Sequence, residues 1–118
     1  MAMNVILHIT QRQQWDKAKL SQIYRGDTLD SEGFIHCSTP LQIIQVANRF
    51  FLHQQGLILL CIDGDRVKAE IQYEGLETEE LFPHIYGALN IDAVYKVLDF
   101  EPGADGKFDL PKELADVI

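Results

Sequence analysis

The run Leu57-Ile58-Leu59-Leu60-Cys61-Ile62 contains no polar side chain. Successive side chains of a strand point to opposite faces, so such a run has to be covered by apolar groups on both sides. It is far too short to span a bilayer. It reads as the central strand of a sheet, and the rest of the 118-residue chain has to supply a layer to each of its faces. With 47% hydrophobic and 24% charged residues, that length forms one core without disulfides or metals. No internal repeat, low-complexity tract or Pro/Gly/Ser-rich linker interrupts it, and a single domain over residues 1–118 is expected.

The flanking segments supply those layers. Val5 to Ile9 reads as a first strand, with Val5, Leu7 and Ile9 on one face and Ile6, His8 and Thr10 on the other. Thr10 and Gln13 have the spacing of a capping box, which predicts a helix from about Gln11 to Lys19 with Trp15 and Ala18 inward. Tyr24 to Glu32 reads as a loop. Gly33 to Ser38 reads as a short strand with Phe34, His36 and Ser38 on one face and Ile35 and Cys37 on the other. Thr39-Pro40-Leu41-Gln42 combines an N-cap Thr, a first-turn Pro and a Gln at the third position, so a second helix starts there. Its apolar stripe is Leu41, Ile43, Ile44, Ala47, Phe50 and Phe51, and it stops near Gln55, before Gly56.

Asp63-Gly64-Asp65 turns the chain, after which Val67, Ala69, Ile71 and Tyr73 alternate with Lys68, Glu70 and Gln72. Leu81 to Gly87 is an apolar segment around His84, and Pro83 biases Phe82 towards an extended backbone. Val94 to Phe100 is the last long strand, Glu101 to Gly106 a turn region, and Pro111 to Val117 a final short helix. Strands and helices alternate only over the first half. The expected class is therefore α+β, a mixed sheet of five or six strands with two or three helices in preference to a doubly wound parallel one.

The charge of -8, from 18 acidic and 10 basic side chains, argues against a sequence-independent grip on duplex nucleic acid. Small anions remain compatible with it, because helix N-terminal amides or histidines can hold a phosphate locally. Cys37 and Cys61 show no Cys-x-x-Cys spacing, which points to a reducing, cytoplasmic setting. Met1 to Ile9 has no basic region followed by a long apolar stretch, so neither export nor a membrane partner is expected.

Three of the four histidines, His8, His36 and His84, sit inside strand-like or apolar segments. A histidine there has two ring nitrogens to satisfy, so either the three converge on one polar pocket or each is hydrogen-bonded separately. His53 falls near a helix end, where it would serve the dipole. His36, Ser38 and the amides of Leu41 and Gln42 could face a phosphate or ribose together; alternatively Ser38 only supports the helix entry. Cys37 lacks a sequence-local base and reads as packing. A three-histidine zinc site is available, without the paired spacing that would single it out. Glu74, Glu77, Glu79 and Glu80 form an acidic loop in which Glu74, beside Tyr73, is best placed to enter a cleft as acid or base.

Phe34-Ile35-His36-Cys37-Ser38, Val46-Ala47-Asn48-Arg49-Phe50, Leu59-Leu60-Cys61-Ile62-Asp63 and Phe82-Pro83-His84-Ile85-Tyr86-Gly87 resemble, in order and spacing, the bacterial family called domain of unknown function 952. The resemblance runs from His8 to about Phe100. That family is similar in fold to ADP-ribosyltransferases and, in its middle region, to RNA 2′-phosphotransferases. The resemblance implies a split, mostly antiparallel sheet that grips an ADP-ribosyl group between its halves. It places His8 and Thr10 at the adenosine ribose, His36 and Ser38 at the centre of the pocket, and His84 and Tyr86 at the nicotinamide side or the transferred phosphate. Arg49 and Arg25 are the only remnants of the phosphotransferases' arginine cluster, and no catalytic Glu stands at the last position of the pattern.

The expected function is a transferase or hydrolase acting on an NAD-derived, nucleotide or other phosphorylated small molecule. His36, His84 and Glu74 are its acid/base groups, and His8, Thr10, Ser38, Thr39, Arg49 and Tyr86 its ligand contacts. A non-catalytic nucleotide-binding or regulatory module is the alternative, and a metal-dependent hydrolase a third. No resident metal or cofactor is assigned; NAD or an ADP-ribose-like ligand is the one implied. The expected assembly is a monomer or weak homodimer.

Overall fold

The structure, a computed structural model, describes residues 4–26, 28–75 and 80–117. Strand β1 (Val5–Gln11) leads into helix α1 (Arg12–Ser21), followed by β2 (Ile23–Tyr24), a single-turn helix α2 (Leu29–Glu32), β3 (Ile35–His36) and helix α3 (Ile43–Phe50). Then come β4 (Leu57–Asp63), β5 (Glu70–Glu74), β6 (Phe82–Tyr86), β7 (Leu89–Asn90) and β8 (Val94–Phe100), with 3-10 turns at Gly64–Arg66, Ile91–Ala93 and Lys112–Val117. Sheet orders are β1-β4-β8, β3-β6-β5 and β2-β7. The chain is an α+β fold with antiparallel sheets and three α-helices. The mixed character expected of the sheet is corrected: every ladder among the described residues is antiparallel.

β4 is the central strand that its composition requires. Ile58, Leu60 and Ile62 enter one buried cluster with Trp15 and Ala18 of α1, while Leu57, Leu59 and Cys61 enter another with Ile43 and Ala47 of α3. The period of two thus divides one apolar run between two cores, one under each helix.

The helix ends differ from their sequence signals. The Thr10 capping box does not form: β1 pairs with β4 through Gln11↔Leu57, so Thr10 is held in the ladder and its hydroxyl donates to Gln14 Oε1 at 3.0 Å. Helix α3 starts at Ile43, three residues beyond Pro40, because the Gln42 amide closes a turn onto the Thr39 carbonyl at 3.0 Å. The Gln42 side chain still reaches back as a capping box requires, accepting from the Thr39 N–H at 3.0 Å, and it donates to the Leu81 carbonyl at 2.7 Å.

The same helix ends at Phe50 instead of Gln55. His53 takes a left-handed backbone (φ 66°) and its N–H donates to the Gly106 carbonyl at 2.9 Å, drawing residues 51–56 onto the C-terminal turn. Gly106 is required there: its φ is 82°, and a Cβ would lie 2.1 Å from the His53 ring. α2 lies within the stretch expected to be a loop; the Thr28 hydroxyl holds it by donating to the Phe34 carbonyl at 2.7 Å. β5 begins at Glu70, three residues after Val67, because the 3-10 turn occupies Gly64–Arg66. Glu77 and Glu79 of the acidic loop lie outside the described residues. Among the described residues no helix is long and apolar enough to cross a membrane.

Candidate functional site

The two three-stranded sheets meet at one point, where Leu7 and Ser38 exchange main-chain hydrogen bonds of 2.7 and 2.8 Å. Beyond it β1 continues along β4 while β3 pairs with β6, and the sheets part. The gap is a cleft of about 650 Å³, walled along β1 from Leu7 to Gln11 and by Val46, Phe50 and Phe51 of the α3 region. His8, His36 and His84 all line it, as do Thr10 and Ser38.

His8 is hydrogen-bonded at both ring nitrogens. Nδ1 lies 2.5 Å from the His36 carbonyl, which can only accept, so Nδ1 carries the proton. In the neutral ring Nε2 then accepts the Tyr24 hydroxyl, 2.7 Å away. His84 stands opposite His36 in the β3–β6 ladder. Its Nδ1 is 2.9 Å from Glu74 Oε1, and the Tyr86 hydroxyl donates to the same oxygen at 2.5 Å. The carboxylate, which can only accept, keeps the proton on His84 Nδ1, and in the neutral ring Nε2 then carries the lone pair. Nε2 has no hydrogen bond among the described residues, where no buried polar side-chain atom lacks a partner, so Nε2 is reached from outside. The same reasoning exposes the Ser38 hydroxyl.

Aromatic packing fixes the His84 ring. Phe34 stacks on it with centroids 4.2 Å apart and planes 17° apart, and the His36 ring meets it edge-on at 5.2 Å. His36 is half exposed, with Nε2 3.2 and 3.3 Å from the two carboxylate oxygens of Glu32. Donation from Tyr86, and secondly from His84, lowers the Glu74 carboxyl below its ordinary range. The bond to Glu74 in turn raises the Tyr86 phenol. No Lys, Arg, Asp or Glu occurs among the described residues lining the cleft, so imidazole is the only side chain there that can carry positive charge. A carboxylate-backed imidazole with a free Nε2 can take a proton from a bound molecule and return it.

Residues 9–97 match the family described as protein of unknown function (DUF952). The chain belongs to that family. Crystal structures of protein CC0527 from Caulobacter crescentus, one of the native protein and one of a double mutant, are similar to this DUF952 chain at 31% identity. Their TM-scores are 0.86 and 0.85, over 95% of this chain and 99% of that one. The solution structure of CC0527 gives a TM-score of 0.78 over 98% and 97%. No curated protein matches the chain. The matched span contains the cleft-lining Thr10, His36, Ser38 and His84 together with Glu74; His8 lies one residue before it.

The remaining residues singled out in this DUF952 chain lie elsewhere. Glu74 and Tyr86 do not line the cleft; they stand behind His84 and hold it. Thr39 is half-buried at the entry to α3, outside the cleft lining. Arg49 is exposed, its guanidinium carbon 5.3 Å from the Phe50 ring centroid, and Arg25 pairs with Asp30 on the surface. Of the two amides expected to face an anion, that of Gln42 donates instead to the Thr39 carbonyl. Burial drives the Cys37 thiol far above its ordinary range, as packing requires. The zinc alternative finds no ligand set: among the described residues no three His, Cys, Asp or Glu side chains are grouped to hold a metal, and both nitrogens of His8 are engaged.

Tyr24, Glu32 and Phe34 hold the three histidines and were not singled out for this. Phe34 and His36 share one strand face, whereas Glu32 ends α2 and meets His36 four residues on, across the left-handed Gly33. Tyr24 meets His8 only through the tertiary fold.

Proposed function

We propose that the chain is a transferase or hydrolase acting on an NAD-derived, nucleotide or other phosphorylated small molecule held between its two sheets. The fold on this reading is ADP-ribosyltransferase-like. The observation that carries it is the Glu74–His84 pair at 2.9 Å, with His84 Nε2 free beside a cleft that His36 also lines. His84 is the general base or acid, Glu74 and Tyr86 are positioning residues, and His36 with the Ser38 hydroxyl receives the polar part of the substrate. Val46, Phe50 and Phe51 offer apolar surface to a flat group such as a base. Phosphate would be met by imidazolium and hydroxyl groups. Two free, buried cysteines agree with action in the cytoplasm, and a net charge of -8 agrees with a small molecule in preference to duplex nucleic acid as partner. The working form on this reading is a monomer or weak homodimer.

One observation favours the second reading, a non-catalytic nucleotide-binding or regulatory module. No carboxylate lines the cleft among the described residues, so an oxocarbenium ion formed by breaking an N-glycosidic bond would find no negative partner among them. Release of nicotinamide from NAD, and of phosphate from nucleotides, decides between them. Turnover that falls by roughly 10²–10⁴ in His84→Ala supports the enzyme. Turnover that survives His36→Ala with His84→Ala removes the assignment, and tight binding without turnover establishes the module.

A further inference from the structure

We propose that His8 is the wedge that holds the two sheets apart and so keeps the cleft open. This deepens the proposed reading of the cleft and rests on it only for its consequence for ligand binding. Leu7 and Ser38 exchange both main-chain bonds. Antiparallel ladders repeat such pairs every second residue, so a closed sheet would next join Ile9 to His36, the Ile9 N–H donating to the His36 carbonyl and the His36 N–H to the Ile9 carbonyl.

Neither bond forms. The His36 carbonyl accepts instead from His8 Nδ1 at 2.5 Å, so a side chain occupies the acceptor that would zip the sheet. That carbonyl does face β1: the Cys37 N–H donates to Pro83 at 3.0 Å, so by alternation His36 turns its main-chain groups away from β6. Ile9 turns its own to the same gap, because it has the parity of Leu7 and the β1–β4 register is unbroken from Val5 to Gln11.

Ile9 is only 9% exposed, yet its N–H and C=O have no partner among the described residues, and it lines the cleft. Main-chain groups of a folded chain are ordinarily paired, and these two face the cleft. The pair is therefore held ready for polar groups of whatever enters. Tyr24, 2% exposed, donates to His8 Nε2 and locks the tautomer that the wedge needs.

Amide hydrogen exchange of the full chain, read residue by residue by NMR, tests this. In His8→Leu the Ile9 amide takes the vacated carbonyl and exchanges at least about tenfold more slowly than in the wild type. His8→Asn, whose side-chain amide nitrogen stands where Nδ1 does, keeps the wild-type rate. Tyr24→Phe keeps its ring, slows Ile9 exchange by about twofold or more, and decides the matter should His8→Leu not fold. Ile9 exchange within about twofold of wild type in His8→Leu, or in Tyr24→Phe should His8→Leu not fold, overturns the wedge, as does protection in His8→Asn equal to that in His8→Leu.

ADP-ribose binding, followed at the His84 resonances, separates the two readings. Binding lost in His8→Leu together with Ile9 protection supports the wedge as keeper of the site. A protected Ile9 with unchanged binding overturns that role. A wild-type protein that does not bind ADP-ribose counts against the proposed ligand, and the exchange rates still decide the wedge.

Discussion

Tyr24→Phe removes one oxygen from a ring that is 2% exposed, and its cost follows from what that oxygen does. The hydroxyl donates to His8 Nε2 at 2.7 Å. The ring packs edge-on to His8 at 5.2 Å and near Trp15 at 6.4 Å, and the substitution leaves both contacts in place. The bond to His8 that is lost is worth about 0.5–1.5 kcal/mol net, with a penalty of about 1–3 kcal/mol if Nε2 is left dry. His8 lies at the cleft edge, where water can replace the hydroxyl in part, so we expect about 1–2 kcal/mol in total. For 118 residues the specific unfolding entropy makes 1 kcal/mol equal to about 4 °C in Tm, which gives a fall of roughly 4–8 °C. Calorimetry and urea unfolding should agree, with an unchanged m value. A double-mutant cycle with His8→Leu should return a coupling of about 1 kcal/mol. A Tm within about 1 °C of wild type, or zero coupling, would refute the bond as described.

Three further outcomes follow from the same geometry. Leu60→Ala, at a fully buried β4 position, should cost about 2–5 kcal/mol in urea unfolding, whereas Leu41→Ala, 77% exposed, should stay within about 0.5 kcal/mol. Tyr86→Phe removes the main cause of the lowered Glu74 carboxyl, so that carboxyl should titrate closer to its ordinary range in ¹³C NMR. Because the folded value is depressed, the stability linked to Glu74 is present above the ordinary carboxyl range and lost as pH falls through the lowered value; Tyr86→Phe should shrink that acid-range loss. Burial raises the Cys37 thiol strongly and pushes Cys61 up to about 11, so neither should react with iodoacetamide at about pH 8 until the protein is unfolded.

The parts of this fold that were legible in the sequence are those set by a single period. Leu57–Ile62 demanded cover on two faces and has it, and Trp15 and Ala18 face inward from α1. Element ends escaped because tertiary bonds decide them: Gln11 is claimed by β4, and His53 by Gly106. The three histidines stood out because imidazole inside an apolar segment needs partners. Which partners they take could not be read locally, since His8 finds Tyr24 16 residues away and the His36 carbonyl 28 away. Glu74 reached His84 by sheet register, two positions along β5 from its paired residue Gln72, which places the carboxylate behind the imidazole and not in the cleft.

On the proposed reading His84 is the reactive group of the cleft, and the protein carries its own control. Three of its four histidines line that cleft, while His53 packs against Gly106 outside it. Titration with ADP-ribose, followed through the ring resonances of all four, should move His84 and His36 saturably and leave His53 in place. Unmoved His84 and His36 signals, or a His53 shift as large as theirs, would contradict it.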